Sequence, residues 1–193
     1  MIDKLRLSLI LGKFKEHSNP NYFLQQYMIK PAVAADILFM IKKDIENNKV
    51  FDLGCGTGRL SIGSALLGAK SVVGYDIDKN VIEIAKENLK ISEIETGIPL
   101  SKICKFKWMD VMEIEEKCDV VIQFPPIIRD IEFLKKAIEI GNKVFSIHID
   151  YPSRIEEIKK RFKIKILSRI KYPISFGNKN NIVSGLVLIK YDS

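Results

Sequence analysis

Apolar side chains recur at helical spacing over the first 45 residues: Leu5, Leu7, Leu9 and Ile10 come first, and Val33 to Ile45 follow Pro31. The polar break Ser18-Asn19-Pro20 predicts a loop joining two helices. From Lys49 the pattern changes. Short β-rich runs at 50–53, 71–75, 103–108, 119–122, 144–149, 163–170 and 182–189 alternate with helical segments at about 59–68, 79–91, 130–140 and 152–162. Alternating strands and helices predict an α/β fold, a parallel sheet with helices on both faces. Only the Pro-, Gly- and Asn-rich stretch 172–181 joins the last two runs. It is too short for a helical crossover, so the two are predicted to pair as a hairpin, with the last of seven strands antiparallel. The chain of 193 residues accommodates one domain, an N-terminal helical extension over 1–48 on a core over 49–193.

Composition removes several classes. Apolar residues make up 47% and charged ones 28%, so neither a disordered polyelectrolyte nor a fibrous protein fits. The opening stretch is interrupted by Lys4, Arg6 and Lys13, and no apolar run approaches ~18 residues; neither a signal peptide nor a membrane span is expected, and the expected location is cytoplasmic. Cys55, Cys104 and Cys118 are odd in number and widely spaced, which suits neither a disulfide framework nor a metal site. Cys55 reads as a small buried residue. His17, in a polar stretch, reads as surface, and His148 as structural or substrate-lining. Lys and Arg exceed Asp and Glu by seven, 31 against 24, which makes an anionic partner such as nucleic acid compatible.

The strongest local signal is Val50-Phe51-Asp52-Leu53-Gly54-Cys55-Gly56-Thr57-Gly58-Arg59-Leu60, a buried strand entering a glycine loop and then a helix. A dinucleotide fingerprint would have its third glycine at position 59, where Arg59 stands. Asp52 opens the loop and is a poor neighbour for a pyrophosphate. A cationic or zwitterionic ligand fits better, as the amino-acid end of S-adenosylmethionine is. Asp76, at the tip of the second strand, is placed to accept both hydroxyls of a ribose. Ile77 can flank an adenine ring, Asp78 reads as a helix N-cap, and Asp110, ending the third strand, can accept from an exocyclic amine.

These residues and the strand order resemble a class I S-adenosylmethionine-dependent methyltransferase, with its Rossmann-like seven-stranded sheet. The flanks narrow the likeness. Gln26-Tyr27-Met28-Ile29-Lys30-Pro31, Leu60-Ser61-Ile62-Gly63, Leu67-Gly68-Ala69, Gly74-Tyr75-Asp76-Ile77-Asp78 and Val144-Phe145-Ser146-Ile147-His148 are similar to the methyltransferase-like-five family, whose best-known member methylates N6 of one ribosomal RNA adenine. The resemblance spans nearly the whole chain. It implies S-adenosylmethionine as cofactor, Tyr27 beside Asp52, Gly54, Gly56, Gly58, Asp76, Ile77 and Asp110 in its pocket, ribosomal RNA as substrate, and a small zinc-binding activator protein as a partner. Met28 and Ile29 stand where that family has proline and threonine.

The fourth strand of such enzymes ends in Asn-Pro-Pro-aromatic, where the Asn oxygen and a proline carbonyl accept the amine hydrogens and the aromatic stacks on the flipped base. Here the segment is Gln123-Phe124-Pro125-Pro126-Ile127, so Phe124 takes the Asn position and Ile127 the aromatic one. Gln123 carries an amide but alternates to the other face of the strand unless a bulge brings it round. Three functions stay open: a methyltransferase acting on RNA with Gln123 or the Pro125 carbonyl as acceptor, a catalytically impaired RNA-binding or assembly homologue, and a methyltransferase for a protein or small molecule. Lys160, Arg161 and Lys163, followed by Phe176, form a candidate RNA-contacting run; a solvated helix end and strand face is the competing explanation.

Overall fold

The computed structural model describes residues 2–18, 29–171, 174–176, 179–183 and 185–192, with side chains from 172 to 184 excepted. Helices α1 (Lys4–Gly12), α2 (Pro31–Met40) and the single turn α3 (Lys42–Ile45) precede β1 (Lys49–Leu53). Then come α4 (Arg59–Leu66), β2 (Ser71–Asp76), α5 (Lys79–Thr96), β3 (Cys104–Trp108) and β4 (Cys118–Gln123). They are followed by α6 (Asp130–Ile140), β5 (Gly141–Ile149), α7 (Pro152–Arg161) and β6 (Lys165–Ile170). The chain closes with β7 (Ile174–Phe176), β8 (Lys179–Val183) and β9 (Leu186–Asp192).

Seven strands form one sheet in the order β3-β2-β1-β4-β5-β9-β6, parallel except that β9 runs antiparallel between β5 and β6. The reversed last strand and its antiparallel pairing with β6 follow the expectation. Two details differ. The predicted strand 182–189 is divided, because Gly185 takes a φ of 157° and separates β8 from β9. β7 and β8 then pair as a separate two-stranded ribbon.

Strand alternation sends successive side chains to two cores. Val50, Val72, Val120, Ile122, Ile147 and Leu188 face α1 to α4, while Phe51, Leu53, Val121, Val144, Val187 and Ile189 face α6 and α7. Every residue of α4 is buried, because this helix lies between the sheet and the N-terminal helices. That packing explains one of the short motifs. A Cβ on Gly63 would sit 2.3 Å from Leu38 Cδ1, so any larger residue there would make the Leu38 side chain move where α2 packs on α4. Among the described residues no helix is long and apolar enough to cross a membrane.

Candidate active site

At the carboxyl ends of β1, β2 and β4 the sheet opens into a pocket, the position where open α/β sheets bind ligands. The glycine loop forms its floor. Gly54 and Cys55 both donate backbone N–H bonds to the Tyr75 carbonyl at 2.9 Å, and Gly56 donates to Asp76 Oδ2 at 2.8 Å. Gly56 has φ 51°, and a Cβ placed on it would meet nothing within 4 Å, so its open side is space left for a ligand. Gly58 is different: at φ 84° its Cβ would strike the Phe106 ring at 2.7 Å. Gly74 beneath the loop is equally enclosed, with Phe106, Ser61 and Cys55 all inside 3.0 Å.

Three carboxylates converge on this floor. Asp52 is buried, and Ser61 Oγ donates to its Oδ2 at 2.5 Å while Oδ1 has no hydrogen-bond partner. Burial, with Asp76 nearby adding to it, pushes the Asp52 carboxyl up to about 7. Asp76 accepts from Gly56 N on one oxygen and from Asp78 N at 3.0 Å on the other, and burial holds its carboxyl above the usual range. Those two bonds leave the remaining lone pairs of a carboxylate, about four in all, for ribose hydroxyls. Asp110 caps the turn that follows β3, its Oδ1 accepting from Met112 N at 2.9 Å, and also lines the pocket. Ile77 lies on the rim, 48% exposed, and Asp78 caps α5 through Asn80 N.

A buried carboxylate oxygen without a partner beside an open glycine backbone fits an ammonium-bearing ligand. S-Adenosylmethionine carries such an amino group, together with a ribose and an adenine. Tyr27 lies outside the described residues. Cys55 is a buried loop residue whose thiol is pushed well above its ordinary value by burial and by Asp52 and Asp76, so it is no nucleophile.

On the acceptor side, Phe124 and Pro126 line the pocket. Gln123 does not. Its register against β1 and β5 is regular to the strand end, so no bulge turns it round, and its fully buried amide donates to Ser146 Oγ at 2.9 Å on the opposite face. Pro125 is buried and is not a lining residue. Ile127, expected as the apolar wall, packs into the core, and the single helical turn Ile127–Arg129 presents Ile128 and Arg129 to the pocket instead.

His17 also departs from expectation: its side chain is 11% exposed, lines the pocket and lies 3.5 Å from Asp78 Oδ2. His148 proves structural, buried between Ser146 and Asp130. Burial raises the Asp130 carboxyl, but His148 and Arg154 outweigh it and hold it below the usual range. Arg59 and Phe133 are lining residues that sequence patterns missed. Arg59 is buried, donating to the Ile29 carbonyl at 2.5 Å and facing Glu16 Oε1 at 3.5 Å.

The basic run lies apart from the pocket. Strand register levels Lys165 with Lys190, Phe145, Ile122 and Asp52, so Lys160, Arg161 and Lys163 fall toward the amino ends of the central strands. All three are exposed, and Arg161 is paired with Glu157 at 2.8 Å. The Phe176 side chain lies outside what the structure describes. Among the described residues no group of three His, Cys, Asp or Glu is placed to hold a metal ion.

Comparison with known proteins matches residues 35–132 to the family model "Ribosomal protein L11 methyltransferase (PrmA)". An uncharacterized protein of Methanocaldococcus jannaschii is 42% identical over 176 residues, 82% of this chain and 76% of that one. The zebrafish (Danio rerio) rRNA N(6)-adenosine-methyltransferase METTL5 is 31% identical over 80% of each chain. A crystal structure from Pyrococcus horikoshii, described as a candidate RNA methyltransferase, superposes with a TM-score of 0.82 at 30% identity over 98% of both chains.

Proposed function

The chain belongs to the class I S-adenosylmethionine-dependent methyltransferases, and we propose that it transfers the cofactor's methyl group to N6 of an adenine in ribosomal RNA. The unpartnered Asp52 oxygen beside the open face of Gly56 carries the proposal, because it fits the one cationic amino group a nucleoside cofactor of this kind brings. RNA rather than protein is favoured by the extent of the likeness. The match to the L11 methyltransferase model covers residues 35–132, whereas likeness to the zebrafish rRNA enzyme extends over 80% of the chain.

Asp52, Asp76 and Asp110 orient the ligand, and Ile77 covers its adenine. Bound there, S-adenosylmethionine supplies a methyl group on a positively charged sulfur. Phe124, Pro126 and Ile128 give the acceptor an apolar wall, and the Phe124 ring offers a face for a flipped base. With Gln123 turned to the opposite face, where its amide nitrogen donates to Ser146, the main-chain carbonyl of the pocket-lining Phe124 accepts from the amine, and the proton leaves to water. Lys160, Arg161 and Lys163 serve RNA bound beyond the pocket, through phosphate contacts. A small zinc-binding activator has an open sheet edge to cover at β3, where Lys105, Lys107 and Trp108 are exposed; a cytoplasmic location suits these partners.

Phe124 in place of an amide favours a second function, a cofactor-binding RNA partner without catalysis. Incubation with methyl-labelled S-adenosylmethionine and undermethylated ribosomes, followed by separation of RNA from protein, distinguishes these. Label in RNA is expected; label in protein overturns the proposal, and cofactor binding without transfer supports the second function.

A further inference from the structure

Gln123 and Asp130 bracket the six acceptor-side residues 124–129, and a buried hydrogen-bond chain through β5 ties one bracket to the other. Gln123 Nε2 donates to Ser146 Oγ at 2.9 Å, Ser146 Oγ lies 2.8 Å from His148 Nε2, and His148 Nδ1 lies 3.4 Å from Asp130 Oδ2. The pairs are compatible in the order amide to hydroxyl, hydroxyl to Nε2, and Nδ1–H to carboxylate. From α7, Arg154 adds a fork. Its Nε donates to Asp130 Oδ2 at 3.1 Å and its Nη2 to Asp130 Oδ1, and Nη2 also reaches the Ile127 carbonyl at 3.4 Å.

Ser146, His148 and Asp130 have the order of a nucleophilic triad, yet Ser146 has no solvent exposure and none of the three lines the pocket. What the chain does reach is the segment between its ends. That segment has two prolines, which donate no backbone hydrogen bond, and one turn closed by Arg129 N donating to the Pro126 carbonyl at 3.0 Å. Four of its residues line the pocket: Phe124, Pro126, Ile128 and Arg129.

We propose that Gln123, Ser146, His148, Asp130 and Arg154 form a staple across the base of this segment, positioning residues that set where the acceptor-side wall stands against the cofactor floor. Gln123 thus acts through the wall rather than on substrate. Gln123 Oε1 is buried without a partner, so the chain holds Gln123 through its amide nitrogen alone; in a buried site such bonds hold one geometry, and losing a member leaves its neighbours unsatisfied. The inference rests on the wall being the acceptor side of a methyltransferase, so its test includes a readout that needs no turnover.

Ser146→Ala removes one hydroxyl from the middle of the staple, and Ser146→Thr keeps it. Amide hydrogen exchange is followed at Arg129 and in β1, together with S-adenosylhomocysteine affinity and methyl transfer. In Ser146→Ala, exchange at Arg129 should rise about 10-fold, the equivalent of one lost hydrogen bond, while β1 stays protected. S-Adenosylhomocysteine Kd should stay within about 2-fold, kcat/KM for RNA should fall about 10-fold, and Ser146→Thr should recover both changes. Arg154→Lys, at a partly exposed position, should give the same pattern in weaker form. Unchanged exchange at Arg129, or a loosening equal in β1 and in cofactor affinity, overturns the staple. Should wild-type protein methylate no RNA, the acceptor proposal fails, while exchange and cofactor binding still decide whether the staple exists.

Discussion

Replacing Asp52 by Asn separates the charge of this residue from its shape. Ser61 Oγ can still donate to the Asn oxygen, so the change chiefly removes ionisation at a buried carboxyl whose pKa stands at about 7. Binding an ammonium there requires the carboxylate, whereas an α-amino group is charged only below about 7.7–8.0. The product of the two fractions is a bell with its maximum near pH ~7.4, from which affinity falls roughly 5-fold by pH ~6 and roughly 50-fold by pH ~5. Asn at 52 should lower affinity at the optimum by about 1.5–3 kcal/mol, roughly 10- to 150-fold, and abolish the acid limb. Folding carries the opposite sign. A carboxyl raised in the folded state binds more protons there than when unfolded, so stability is greatest below pH ~4 and falls as pH rises toward 7. The Asn variant escapes that penalty, less the cost of an unsatisfied amide, and should gain about 1–3 kcal/mol over wild type at pH ~8 without ligand. Calorimetric titration with S-adenosylhomocysteine from pH 5 to 8, with thermal unfolding of the free proteins, measures both. An acid limb that persists in the variant, or a variant less stable than wild type at pH 8, refutes the assignment of Asp52 as the carboxylate for the amino group.

Other outcomes follow from the same geometry. Gly58→Ala combines a φ of 84° with a Cβ 2.7 Å from Phe106, and should cost about 2–4 kcal/mol, seen as a lowering of Tm by roughly 5–15 °C. Burial pushes the thiols of Cys104 and Cys118 up to about 12, so iodoacetamide at pH ~8 should alkylate the native protein at least ~100-fold more slowly than the unfolded chain. Changing Lys160, Arg161 and Lys163 together to Ala should flatten the slope of log affinity for RNA against log salt by about 1–2 and leave kcat unchanged, because the run is remote from the pocket. A fall in kcat measured at saturating RNA would count against that placement.

What the chain discloses by itself is whatever depends on strand alternation and backbone freedom. The glycine loop, Asp52, Asp76 and the cap at Asp78 lie at strand ends, where the switch from a buried run to glycine or to a helix fixes position within a residue or two. The opposite orientation of Gln123 was legible for the same reason, since a strand turns alternate residues to opposite faces. Side chains whose direction depends on helix phase or on a neighbouring element were not. Ile128 replaces Ile127 at the pocket because a single helical turn follows the prolines, and no periodicity announces so short a turn. Phe133 faces the pocket through the phase of α6, and Arg59 and His17 through packing of the N-terminal helices, a contact between segments distant in sequence. The division of the last β-run rests on one backbone angle at Gly185.

The cofactor floor built on Asp52 and Asp76 is proposed to serve methyl transfer to RNA. Nucleoside mass spectrometry of ribosomal RNA incubated with the protein and S-adenosylmethionine decides it: N6-methyladenosine should appear with wild type and be strongly reduced with Asp76→Ala. No methylated nucleoside, from protein shown to bind the cofactor, would contradict it.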